Sequence, residues 1–261
     1  GAAPILHHAD VRRTLTTMRA RVAAARSICY ACAVAADLAE ASPDADVRAA
    51  AKLREDLLTP IAKAWSSDMG VEAASMGVQV HGGMGFMNET LAAQLYRDSR
   101  IAPIYEGTNG IQAIDLVGRK LSGTNGESMR VMLGEVEATA AAARATNDPQ
   151  LVQIADRLKA AASALREASD WMLEQMKSRE QDKALAGATA YLELAGDVIG
   201  GHFLTRSAVA ARSSDGAARA RRLALAGFFA ETALASAPGR VAGITEGGSR
   251  FLENSEALFG V

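Results

Sequence analysis

Glu106 is the residue of this chain best placed to do chemistry. It sits in a Tyr-Glu-Gly-Thr turn (Tyr105–Thr108), with Ile101, Pro103 and Ile104 before it and Ile111, Ile114, Leu116 and Val117 after it. A carboxylate in such apolar surroundings is expected to be desolvated, which pushes it toward the range where it works as a general base. Gly107 permits a backbone geometry closed to other residues. Thr108 suits the N-cap of the following helix. A purely structural capping turn is the competing reading of the same four residues.

The segment upstream is dense in glycine: Gly82-Gly83-Met84-Gly85 follows Gln79-Val80-His81. A phosphate-cradling dinucleotide loop needs a strand before it, and the pattern here gives none. The glycines therefore end a helix, or let another backbone or a flat ligand approach closely. Beside them, His81 is read as a packed or capping histidine. Arg97, Asp98 and Arg100 end a short helix, as a surface ion pair or as a tie to the Tyr105–Thr108 turn. Cys29 and Cys32 lie in mid-helix without a second ligand pair, and are read as two buried small hydrophobes. His7, His8, His81 and His202 have no partners at helical ligand spacing, so no metal site is expected.

The elements that must position these groups are helices. Val11, Leu15, Met18, Val22, Ala25 and Cys29 recur at helical spacing and predict a helix over about 10–40. Ser42-Pro43-Asp44 stops it and starts a second over about 46–80, with Pro60 as an expected kink. A short helix over 89–99 and another over 108–121 follow. Ser122-Gly123-Thr124-Asn125-Gly126 reads as a linker. Further helices are predicted over 128–145, 149–179, 181–212, 215–236 and 239–246, the second of these opened by Asp148-Pro149. The fold class is thus all-α: an antiparallel four-helix bundle in 1–121, a linker at 122–126 and a second helical domain in 127–261.

Composition agrees. Of 261 residues, 49% are hydrophobic and 22% charged, enough to bury a sizeable core. A net charge of -2 offers no basic surface for nucleic acid. No run is read as the ~18 apolar residues a membrane span requires. Two cysteines and no signal-peptide pattern at Gly1–Arg13 make a reducing cytoplasm the expected location.

Taken together, Gln79–Leu121 resembles the C-terminal segment of the flavin-dependent acyl-CoA dehydrogenases. The likeness rests on Gln79, Gly82, Gly83, Gly85 and Phe86, on Glu89, on Arg97-Asp98-x-Arg100-Ile101, and on Ile104-Tyr105-Glu106-Gly107-Thr108-Asn109 with Ile111-Gln112. Residues 8–40 and 59–80 are similar to the helices that open that bundle. Residues from about 127 onward resemble the extra helical domain of a longer subgroup, with 3-methylmercaptopropionyl-CoA dehydrogenase-like members. The resemblance implies FAD as cofactor and an acyl-CoA as substrate, with Glu106 as the base that takes the thioester α-proton while the β-hydride goes to the flavin. It implies Gly107 against the acyl-CoA and Gln79, Val80, His81, Gly82 and Gly83 against the FAD of a neighbouring subunit. Thr108 and Asn109 would meet the flavin of their own subunit. Gly110 stands where several relatives carry Gln or Glu, so that side-chain contact is missing. A homo-oligomer and an electron-transfer flavoprotein partner are implied as well. The family's N-terminal helical domain and middle β-domain have no counterpart in this chain, so it reads as a C-terminal portion that is inactive alone. The alternative is a non-catalytic helical scaffold for oligomerisation.

Overall fold

A computed structural model describes residues 3–178 and 181–260. Among the described residues there is no strand. Helix α1 (Ala9–Ala41) and helix α2 (Ala45–Val80) form a long antiparallel hairpin. The hairpin turns where Asp44 accepts hydrogen bonds from the amides of Asp46 and Val47, capping α2. Pro60 lies inside α2 and is buried, so the helix runs on through it. Short helices α3 (Gly83–Phe86) and α4 (Ala92–Ser99) follow, then α5 (Asn109–Asp115), which continues as a π-helical stretch over Leu116–Leu121. In the first half α4 and α5 pack on α2, while α1, α2 and α5 all meet α8 of the second half.

The second half contains α6 (Glu127–Arg144), α7 (Pro149–Lys177), α8 (Gln181–Ala210) and α9 (Gly216–Phe229). It closes with α10 (Ala235–Thr245), α11 (Ser249–Glu253) and α12 (Ser255–Phe259). A π-helical stretch, Ala230–Leu234, joins α9 to α10, and Pro238 is accommodated inside α10. Asp148 caps α7 through the amides of Gln150 and Leu151. The expected end of α7 at Arg179 lies outside the described residues.

One core runs through both halves. Helix α8 packs on α1, α2 and α5 as well as on α6, α7 and α10. Gly196 makes this approach possible, since a Cβ there would lie 2.2 Å from Cδ1 of Trp65. Trp65 Nε1 donates to Asp197 Oδ1 at 3.2 Å, and Asp197 Oδ2 pairs with Arg240 at 2.9 Å. Burial pushes the Asp197 carboxyl up and Arg240 pulls it back. A tryptophan of the first half and an arginine of the second thus share one buried carboxylate.

Two expectations are corrected. Cys29 is exposed, with its thiol directed to Ser66 Oγ, so only Cys32 is partly buried. Helix α1 is, by length and composition, apolar enough to cross a membrane, against the reading of the sequence. Alanine raises its hydropathy. In the fold it serves as one arm of the hairpin and buries Ala20, Ala24 and Ile28.

His202 is 1% exposed, and neither ring nitrogen has a hydrogen-bond partner. Burial pushes its pKa down from 6.5 to about 4. Above pH 6.5 the ring is neutral in both folded and unfolded chains. Between pH 6.5 and 4 the unfolded chain binds a proton that the native chain refuses, so stability falls, by an amount approaching about 3 kcal/mol. His202→Leu is expected to flatten this acid limb, gaining more stability at pH 5 than at pH 8 in urea unfolding. Gly196→Ala is expected to lower stability by about 1–3 kcal/mol through overpacking against Trp65, read as a lower thermal midpoint.

Candidate active site

Helix α2 ends at the double glycine. His81 caps it, with its ring Nδ1 2.7 Å from the Gly77 carbonyl. Gly82 has φ 62°, in the left-handed region that favours glycine, and its amide bonds to Gln79 O at 3.0 Å. The chain then folds back so tightly that a Cβ on Gly85 would lie 2.2 Å from Val78 O. Gly82 and Gly83 instead face open space, and Gln79 is exposed. Phe86, 80% exposed, projects from this turn. Leu91, Leu95, Ile101 and Ile104 extend the apolar surface and are each more than half exposed. A patch of this kind is characteristic of a surface that something else covers.

The Glu106 turn is held from α2. Glu106 has φ 54° and Gly107 φ 85°, so two successive residues are left-handed. For a non-glycine residue this costs about 1–2 kcal/mol. Lys63 Nζ donates to Gly107 O at 2.6 Å and to Asn109 Oδ1 at 2.8 Å, and lies 6.0 Å from the centre of the Tyr105 ring. Asn109 Nδ2 donates to Ala64 O at 3.1 Å and Ser67 Oγ at 2.9 Å, while its amide donates to Pro103 O at 3.0 Å. Gln112 Nε2 closes the far side on Glu106 O at 3.2 Å. Thr108 caps α5, accepting from the Ile111 amide at 3.4 Å.

The sequence-derived residues therefore fall into two separate turns, one seated on the middle of α2 at Lys63–Ser67 and one at its C-terminal end. Glu106, Gly107 and Thr108 share one; Gln79, Val80, His81, Gly82 and Gly83 form the other, at the end of α2. One expectation changes. Glu106 is exposed, because its apolar neighbours Ile101, Ile104 and Ile111 also point outward and do not enclose it. The Asn109 side chain bonds within the chain to Lys63, Ala64 and Ser67. Arg97 reaches back to Asn88 at 3.5 Å, not forward to the turn. Lys63 was not singled out from the sequence. One helical lysine among others, 44 positions from its acceptor, gives no local signal. An apolar groove between α1, α2, α6 and α8 does not include the Glu106 turn. The turn's backbone geometry and residue chemistry locate the site, not the groove.

Lys63→Met is expected to free the turn while leaving the helices intact. Hydrogen exchange at the Asn109 amide should accelerate by about tenfold, the loss of one to two charge-assisted hydrogen bonds. Unchanged protection would show that Lys63 does not hold the turn.

Two consecutive family models match the chain: "Acyl-CoA dehydrogenase, C-terminal domain" over residues 1–122, and "Acetyl-CoA dehydrogenase C-terminal like" over 132–254. A 3-methylmercaptopropionyl-CoA dehydrogenase of Ruegeria pomeroyi is 37% identical over 97% of this chain and 44% of its own length. A broad-specificity linear acyl-CoA dehydrogenase, FadE5, of Mycobacterium tuberculosis is 30% identical over 88% of this chain and 40% of its own length. The chain thus spans less than half the length of these relatives. A crystal structure of a Bacillus anthracis acyl-CoA dehydrogenase complexed with FAD superposes with a TM-score of 0.73 at 20% identity, covering 97% of this chain and 45% of that one. A Caenorhabditis elegans structure, ACDH-11 in complex with C11-CoA, gives a TM-score of 0.68 at 22% identity, covering 85% of this chain and 36% of that one. The two matched regions follow one another in the order of the observed helices, and the chain belongs to the acyl-CoA dehydrogenase family, whose C-terminal helical regions it carries.

Proposed function

We propose that this chain supplies the catalytic base and one wall of the site of an FAD-dependent acyl-CoA dehydrogenase. The observation that carries the reading is the Glu106 turn. A glutamate is kept in a left-handed conformation where glycine would be less strained, and Lys63 and Asn109 lock that geometry from α2. Strain of this kind collects where a side chain has work to do. Both sequence relatives described above are acyl-CoA dehydrogenases, the same reaction class.

The residues present fit part of a flavin cradle. Gly82 and Gly83 offer bare backbone facing open space, beside the exposed ring of Phe86. When bound, FAD supplies the acceptor for the substrate's β-hydride. The chain's own residues do the rest. A Glu106 carboxylate oxygen takes the α-proton of the acyl thioester. Gly107, without a side chain, lets the acyl group lie against the turn. Thr108 presents its side of the α5 N-terminus to the flavin of its own subunit, and Gln79–Gly83 face the flavin of a neighbour. The exposed apolar surface around Leu91, Leu95 and Ile101 meets the segments that shut out water, in a homo-oligomer. Exclusion of water is what turns an exposed carboxylate into an effective base. An electron-transfer flavoprotein receives the electrons.

In the intact enzyme, Glu106→Gln is expected to lower dehydrogenation by on the order of 10²–10⁴-fold while FAD stays bound. Loss of FAD from that variant would make Glu106 a structural residue. The 261-residue chain alone is expected to retain substoichiometric FAD and no turnover. A yellow chain with one FAD per molecule would overturn that second expectation without touching the first.

A further inference from the structure

Tyr30, Val34 and Leu38 recur four residues apart on α1, so they share one face, and all three are exposed. They line an apolar groove of about 580 Å³, closed on its other sides by residues such as Leu57 of α2, Met132 of α6 and Phe203 of α8. Such a volume is within the range of small-ligand sites. The one carboxylate in this lining, Glu135, is already ion-paired with Arg54. Toward the N-terminus of α1 lies a second cleft, of about 510 Å³, between α1 and α9. Arg19, Arg26 and Arg221 line it with no carboxylate. Among the described residues, Arg19 and Arg221 have no ion-pair partner. Arg26 donates to the Tyr30 hydroxyl at 3.2 Å and lies 5.8 Å from the ring centre. Tyr30 lines both cavities and joins them. From Arg19 to Leu38 the helix rises about 28 Å, which makes a trough basic at one end and apolar at the other.

We propose that this trough is a second binding site, separate from the Glu106 turn, for a single-chain acyl ligand with a phosphorylated head. The acyl chain covers the apolar face of Tyr30, Val34 and Leu38. The phosphates lie among Arg19, Arg26 and Arg221. Three guanidinium groups without counter-charge repel one another, and phosphate is the anion whose geometry suits their paired donors. A single carboxylate head would leave most of that charge unmatched. The concave shape takes one molecule at a time, in contrast to the flat surface of a bilayer. This assignment does not depend on the role of Glu106.

The test is isothermal titration of the 261-residue chain with hexadecanoyl-CoA kept below its micelle-forming concentration. Saturable binding is expected, weakened by about tenfold or more in Arg26→Glu/Arg221→Glu, a loss of at least about 1.4 kcal/mol. Hexadecanoate alone and CoA alone are each expected to bind about tenfold more weakly than the thioester. If circular dichroism shows the double reversal unfolded, Arg19→Gln/Arg221→Gln carries the same comparison, with weakening again expected. Unchanged affinity in the folded variant overturns the proposal. So does equal affinity for hexadecanoate, or binding confined to phosphatidylglycerol vesicles.

Discussion

The geometry of the candidate site depends on one clamp: Lys63 and Asn109 fastening the Tyr105–Thr108 turn to α2. Two left-handed residues in succession, one of them a glutamate, do not persist in a free loop. Here the turn has no choice. Its Gly107 carbonyl is taken by an ammonium group, its Asn109 side chain is bonded on both polar atoms, and the Glu106 carbonyl is closed by Gln112. Among the described residues the Glu106 carboxylate has no hydrogen bond or ion pair, and it is exposed. That combination, a rigid backbone under a free functional group, is what preorganised catalysis needs.

The clamp works because α2 is itself packed against the second half of the chain. Trp65, one turn of helix beyond Ala62 and close to Lys63, is pinned by the Asp197 carboxylate and roofed by Gly196 of α8. Arg240 holds the other oxygen of Asp197. The second half of the chain thus braces the helix from which the site is hung. Removing the carboxylate would leave a buried indole N–H without an acceptor and the partly exposed Arg240 without its counter-charge, a costlier event than loss of a surface pair. Charge pairs on the surface, such as Arg13 with Asp10, contribute little by comparison.

Much of this was legible in the sequence. The two long helices, the Asp44 and Asp148 caps, and the Gly82-Gly83 stop are local signals, and each stands within a residue or two of its expected place. What was not legible depends on neighbours distant in sequence. The π-helical stretches at Leu116–Leu121 and Ala230–Leu234 leave no compositional mark. Asn109 has the residue type of a ligand contact but is used as a strut, and Lys63 is indistinguishable from a solvated lysine until the turn is folded over it. The shelter expected for Glu106 was inferred from apolar neighbours in sequence. Those side chains point outward instead, and shelter becomes a property of what covers that face.

The central claim is that Glu106 is kept in its strained conformation for its carboxylate and not for the fold. The most direct measurement is the urea-unfolding free energy of Glu106→Gly in this chain. Relief of the left-handed strain predicts a variant at least as stable as the parent, by up to about 1 kcal/mol. A clear loss of stability would mean that the glutamate side chain is part of the scaffold, and would contradict a catalytic reason for the strain.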